Sequence, residues 1–166
     1  MEFDVAKQQF IQTWGTLGSN WGINRTMAQI NGLLLIANNP LSTEDIMAEL
    51  SISRGNANMN IRTLIDWGIV HKVWIAGERK EFFKSEKDVW QLANRIVAER
   101  RKKEIEPLIR TLEQLKAVEG TGTDVEEFRK MNTELYDFSK KMDNVLDKFI
   151  RADKNWFTRS LKSLLT

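Results

Sequence analysis

The sequence predicts a mainly α fold with one small β-hairpin, and three observations carry that reading. Short helical segments with recognisable caps follow one another from residue 3 to residue 67. A β-branched and aromatic stretch around a glycine turn interrupts them at 69–84. A long helix with a seven-residue apolar repeat comes after residue 123. Helical periodicity of 3.6, strand-type composition and a heptad stripe are distinct signals, and they occupy separate parts of the chain.

The first segment places Phe3, Phe10, Trp14, Leu17 and Trp21 at three- and four-residue steps, one apolar stripe on a helix. Gly15, Gly18 and Gly22 either weaken that helix or let a neighbour approach closely. Asn24 is placed to cap a second helix running through the apolar stretch Leu33–Ala37, and Asn38-Asn39-Pro40 stops it. Ser42 and Asp45 have capping-box spacing ahead of a short helix with Ile46, Met47 and Leu50 on one face. Ser51 and Ile52 make a tight turn, and Ser53 caps the next helix. That helix carries Ala57, Ile61, Leu64 and Ile65 on one side and ends at Gly68.

A strand follows at Ile69–Ile75, then a turn at Gly77 and a second strand at Glu81–Lys84. Two short helices joined by a tight turn, then a hairpin with a basic tip, is the order of a winged helix-turn-helix. From Asp88 to Glu119 the pattern is helical, with a break expected near Ile105–Glu106 because Pro107 cannot continue an α-helical ladder. Thr123 and Glu126 repeat the capping-box spacing. Beyond them Phe128, Leu135, Met142 and Phe149 recur every seven residues, with Met131, Phe138 and Val145 interleaved. This seam predicts a partner helix; the two terminal stripes either pack on each other within one chain or, as the favoured reading, form an intersubunit arm, with Phe128, Leu135, Phe138, Met142 and Phe149 as the expected dimer interface. Trp156, Phe157, Leu161, Leu164 and Leu165 suggest a short amphipathic terminal helix. The organisation expected is an N-terminal helix at 1–23 joining the dimerisation region, a winged helix-turn-helix at 24–87 and a helical dimerisation region at 88–166.

Composition removes several function classes. The 166 residues include no cysteine and a single histidine, His71, so thiolate chemistry, Cys/His metal sites and a Ser-His-Asp relay with a choice of base are excluded. No phosphate-binding loop, nucleophile elbow or H-E-x-x-H motif is present, and no enzymatic activity or cofactor is expected. The longest unbroken apolar run, Leu33–Ala37, is far short of the roughly 20 residues that span a bilayer. A soluble, cytoplasmic protein follows as the expectation.

Net charge is only +2, but its distribution is uneven. Residues 1–50 carry Lys7 and Arg25 against Glu2, Asp4, Glu44, Asp45 and Glu49. Residues 53–84 carry Arg54, Arg62, Lys72, Arg79, Lys80 and Lys84 against Asp66, Glu78 and Glu81. A local positive surplus is what phosphate binding requires, although a solvated basic face reads the same way. The helix after Ser53 presents Arg54, Asn56, Asn58 and Arg62 away from its apolar side. Arginine matches guanine and asparagine matches adenine by paired hydrogen bonds. Asparagine inside a helix has no propensity advantage, so Asn56, Asn58 and Asn60 need another reason. The blander account is that Asn56 merely supports the cap and Asn60 packs at a helix-helix contact. Arg79 and Lys80 give the hairpin tip two cations, and an arginine on such a narrow tip suits a minor groove, although an ordinary solvated hairpin turn has the same composition.

The segments WGINRTMAQINGLLL, NPLSTEDIMAELSISRGNANMNIRTLIDWGIV and GERKEFF followed by DVW resemble the GbsR branch of the MarR-type winged-helix regulators. The likeness spans Trp14 to Trp90, about half the chain. It implies a homodimer that represses or tunes transcription on an inverted-repeat operator in double-stranded DNA. It also implies contacts from Ser53, Arg54, Asn56, Asn58 and Arg62 on the helix and from Arg79 and Lys80 on the wing. The NANMN stretch departs from the family pattern, so no operator sequence carries over. Some members respond to choline or glycine betaine. Trp14 and Trp21 could therefore line a pocket for a quaternary ammonium effector by cation–π attraction, or simply pack on their apolar stripe. The competing reading of the whole is a winged-helix module that docks a protein without specific DNA binding.

Overall fold

The computed structural model describes residues 1–152, so the terminal helix expected around Trp156–Leu165 lies outside the described residues. The chain divides into two compact units, Met1–Leu92 and the remainder from Ala93. The first holds helices α1 (Phe3–Asn20), α2 (Arg25–Ile36), α3 (Thr43–Leu50) and α4 (Arg54–Asp66), strands β1 (Leu41–Ser42), β2 (Val70–Val73) and β3 (Phe82–Ser85), and the start of α5 (Val89–Arg100). This is the winged helix fold expected from the order of signals.

The caps are those the sequence names. Asn24 Oδ1 accepts from the Met27 amide at 3.1 Å, and Ser42 and Asp45 form a reciprocal capping box at the head of α3. Ser53 Oγ accepts from the Asn56 amide and fixes the first turn of α4. Gly68, with φ +69°, closes α4 as a Schellman turn, its amide bonded to Ile65 O and that of Ile69 to Leu64 O. Ser51 takes φ +52° between α3 and α4, so the helix-turn-helix bend rests on a left-handed non-glycine residue.

The sheet order is β1-β3-β2, antiparallel throughout, with Val70 opposite Ser85 and Val73 opposite Phe82. The sequence does not announce β1. It is two residues long and exists because Leu41 and Ser42 pair with Phe83 and Phe82 on the open edge of β3. Ile30, Leu33, Leu34, Ile46, Ile61, Leu64, Val70 and Phe83 form the core under these elements. One polar group crosses it: Asn31 accepts from Trp14 Nε1 and donates to Ser85 Oγ, both at 3.0 Å, tying α1, α2 and β3 together.

Two local expectations are corrected. The packed face of α1 is Ile11, Gly15 and Gly18, whereas Phe3, Leu17 and Trp21 of the predicted stripe stay exposed within the chain. The reason is steric. A Cβ on Gly18 would lie 2.5 Å from Ala28 Cβ, and one on Gly32 would meet Trp14 at 3.0 Å. The contact line of α1 and α2 therefore follows the small residues. The second correction concerns Thr123, which is not a capping residue. Gly122 holds the N-cap position at φ +116°, and Thr123 is the first residue of the helix, with Asp124 and Glu126 in its first turn.

In the second unit a π-helical turn (Arg101–Ile105) joins α5 to α6 (Glu106–Leu115), where the sequence places its break. There the Glu106 amide donates to Arg101 O, five residues back, immediately before Pro107, which has no amide hydrogen to offer. The last helix, α7 (Thr123–Arg151), packs on α6 and the π-helical turn through a polar face of Asn132, Ser139 and Asp143. Asn132 donates to Leu112 O at 2.9 Å, and Arg129 closes the loop by donating to Val118 O and Gly120 O. The adjacent face of α7, with Phe128, Leu135, Phe138 and Met142, is exposed along the chain, and Phe149 is half-buried.

Candidate nucleic-acid interface

The α4 helix buries Ala57, Ile61 and Leu64 and turns its other side to solvent, where Met59 is 58% exposed. The wing hairpin stands beside it. Between them runs a groove of about 420 Å³, lined from α3 by Thr43 and Glu44, from α4 by Arg54, Asn58, Ile61, Arg62 and Ile65, and from the hairpin by Lys72, Lys80, Glu81 and Phe83. Four cations face two carboxylates there. Ile61 and Phe83 floor the groove because both belong to the core.

Of the seven residues singled out from the sequence, Arg54, Asn58, Arg62 and Lys80 meet in this groove. Ser53 serves the cap of α4, its hydroxyl accepting from Asn56 N. The side-chain oxygen of Asn56 accepts from Asn60 Nδ2 at 2.7 Å, which leaves its own amide hydrogens to donate. Asn60 itself is buried and also donates to Asn56 O, a bond within α4. Arg79 is exposed on the wing tip, outside the groove lining. Gly77, at φ +86°, makes the tight turn of that tip, with the Glu78 amide donating to Ile75 O.

The charges are partly paired. Arg54 Nη2 donates to Glu44 Oε1 at 2.8 Å, and Lys72 Nζ to Glu81 Oε1 at 2.6 Å. Both pairs are well exposed, and such pairs contribute only about 0–1 kcal/mol, so a ligand can replace either partner. Arg62 and Arg79 make no ion pair among the described residues. Glu44 has its carboxyl held below the usual carboxylate range, first by its own backbone amide and then by Arg54; Lys80 adds to this from the wing. Lys80 lines the groove together with Thr43 and Glu44 at the head of α3, and its charge acts likewise, if least, on Asp45.

Three groups at this surface escaped the sequence reading. Lys72 enters the groove by the β2–β3 register, which pairs it with Phe83. Glu44 enters because the turn at Ser51 folds α3 against α4. Trp74, just past the end of β2, is 82% exposed on the hairpin, outside the groove lining. Alternation along Ile69–Ile75 was the available signal for Lys72, while Glu44 needed the tertiary fold. A further lysine braces the wing: Lys87 Nζ donates to Leu34 O, Leu35 O and Ala37 O at the end of α2, and burial lowers its pKa.

The proposed effector residues lie apart from this groove. Trp14 stacks on Phe10, with ring centroids 5.6 Å apart, and spends its N–H on Asn31. Trp21 sits at the C-cap of α1, half exposed, and no ring contact joins the two among the described residues. No helix among those residues is long and apolar enough to cross a membrane.

A shallow, cationic groove with amide and guanidinium groups over an apolar floor suits a polyanion whose edges carry hydrogen-bonding groups. No family model matches the sequence, and no curated protein matches it. Among solved structures, a crystal structure of a transcriptional regulator is similar, with a TM-score of 0.66 and 18% identity. The match covers 87% of this chain and 95% of that one. At that identity the likeness establishes the fold.

Proposed function

We propose that this chain is a sequence-specific DNA-binding transcriptional regulator that acts as a cytoplasmic homodimer on an inverted repeat. The observation that carries the reading is the groove between α4 and the wing, where Arg54, Asn58, Arg62, Lys72 and Lys80 converge. In this reading α4 enters the major groove, with Arg54 and Asn58 on base edges, and Arg62 and Lys72 on phosphates. Arg79 and Lys80 reach the neighbouring minor groove from the wing. Repression is the expected mode, by occlusion of a promoter. The exposed apolar face of α7 supports a second copy, and two copies give the two half-sites that a specific operator needs.

The test is to incubate purified protein with sheared genomic DNA at physiological salt and to sequence the retained fragments. A shared inverted repeat is expected. Retention of random fragments, or of none, would overturn specific regulation, and binding indifferent to salt would favour a protein-docking module.

A further inference from the structure

We propose that Glu44 is the specificity filter of this surface, a carboxylate that holds Arg54 off non-cognate DNA and is satisfied only where a base amino group meets it. The inference rests on the DNA reading above and goes further by giving a negatively charged residue a role in recognition.

Three observations support it. Glu44 Oε1 accepts from Arg54 Nη2 at 2.8 Å, so the strongest base-reading side chain of α4 is held by the residue ten positions before it. Both line the groove that would receive the duplex, and the Glu44 side chain is 44% exposed there. The Ser42–Asp45 box caps α3 without it, and Glu44 adds only a bond to its own backbone amide in the first turn. Its carboxylate is thus exposed and has acceptor capacity to spare, and it stands where phosphate charge must come close.

The consequence follows from charge. On random DNA a carboxylate in the groove repels phosphate and competes for Arg54, which weakens binding wherever the protein slides. At the operator Arg54 swings to guanine O6 and N7, and Glu44 accepts from the N4 amino group of a nearby cytosine. The repulsion is general and the compensation is local, which widens the gap between right and wrong sites.

The experiment compares full-length wild type with Glu44→Gln on two probes, a duplex recovered by the genomic selection and a scrambled duplex of the same composition, over a range of salt. Glu49→Gln is the control, since Glu49 lies on the same helix but pairs with Lys7 outside the groove. Expected for Glu44→Gln is about three- to tenfold tighter binding to scrambled duplex, from one less repulsive charge. Its log–log salt slope should steepen by about 0.9, as freed Arg54 takes a phosphate. The ratio of specific to scrambled affinity should fall at least about threefold, with preference weakened at one C·G pair, because glutamine keeps an acceptor but not the charge. Glu49→Gln should leave the ratio unchanged. Wild-type binding with the same ratio and slope in Glu44→Gln, or an equal shift in Glu49→Gln, would overturn the filter while sparing the DNA reading. Absence of salt-sensitive DNA binding by wild type would overturn both.

Discussion

Arg101, in the π-helical turn, grips Asp143 of α7 with two nitrogens, Nε at 2.6 Å and Nη2 at 3.2 Å, while its Nη1 reaches Asp147 at 3.2 Å. Asp143 is buried to about nine-tenths, so the pair is shielded from solvent better than the surface pairs of the groove. Arg101 holds the Asp143 carboxyl below its ordinary value of 3.8. A depressed carboxylate stabilises the fold above its unfolded-state pKa and loses that contribution as pH falls through the lower, folded value. Asp143→Asn should therefore cost about 1–3 kcal/mol at neutral pH, as a charged hydrogen-bonded pair is lost. The gap between wild type and variant should narrow as pH falls below the ordinary carboxylate value and close only below the folded one. Urea unfolding at pH 7 and pH 3 measures both, and an equal gap at the two pH values would refute the assignment.

The same helix predicts an assembly. Its inward face is polar, with Asn132, Ser139 and Asp143, while the adjacent face is apolar and exposed, Phe138 by 60%. A water-facing apolar stripe of this length is costly unless another surface covers it. Phe138→Glu places a charge in that stripe and should weaken a dimer by about 2–4 kcal/mol, as for a central contact residue. Sedimentation at micromolar concentration should show dimer for wild type and monomer for the variant. Identical masses would remove the α7 stripe as the interface.

What the sequence makes legible is what is local. Asn24, Ser42 with Asp45, Ser53 and Gly68 all act within one helical turn, and each does in the structure what its spacing predicts. Groups placed by partners far along the chain are the ones that escape. The strand β1 depends on an edge forty residues away, Lys72 on the hairpin register, and the grip of Glu44 on Arg54 on the bend at Ser51. On α1 the apolar count misleads while the glycines inform: of their two readings, the close approach of a neighbour holds at Gly15 and Gly18, though not at Gly22. Arg54, Asn58 and Arg62 share the groove because the apolar side of α4 fixes which of its residues face away from the core, whereas Lys80 joins them through the tertiary placement of the wing.

That glycine contact gives a prediction with an internal control. Gly18 faces Ala28, whose Cβ cannot move away without moving α2, so Gly18→Ala should destabilise by about 1–3 kcal/mol through overpacking. Gly15 faces the side chain of Gln29, which can swing aside, and alanine favours the helix by up to about 1 kcal/mol. Gly15→Ala should therefore be close to neutral. Thermal denaturation of both variants checks the order, and a larger loss at Gly15 would contradict the packing argument.

Arg54 and Arg79 should fail in different ways if the groove and the wing read different parts of a duplex. Arg54 can place two donors on guanine, and such a contact is worth about 1–3 kcal/mol of discrimination. Arg54→Ala should weaken operator binding by that amount and relax the preference at one base pair, with a smaller change on scrambled DNA. Arg79 stands on the wing tip without an ion-pair partner among the described residues, and the minor groove it would meet is most negative over narrow A·T tracts. Arg79→Ala should reduce the salt slope by about 1 and weaken binding chiefly where the flanks are A·T-rich. Fluorescence anisotropy on operators with A·T or G·C flanks, repeated across salt, separates the two variants. If both lose the same affinity on every probe, the two arginines act only as general charge, and the division of labour between α4 and the wing is wrong.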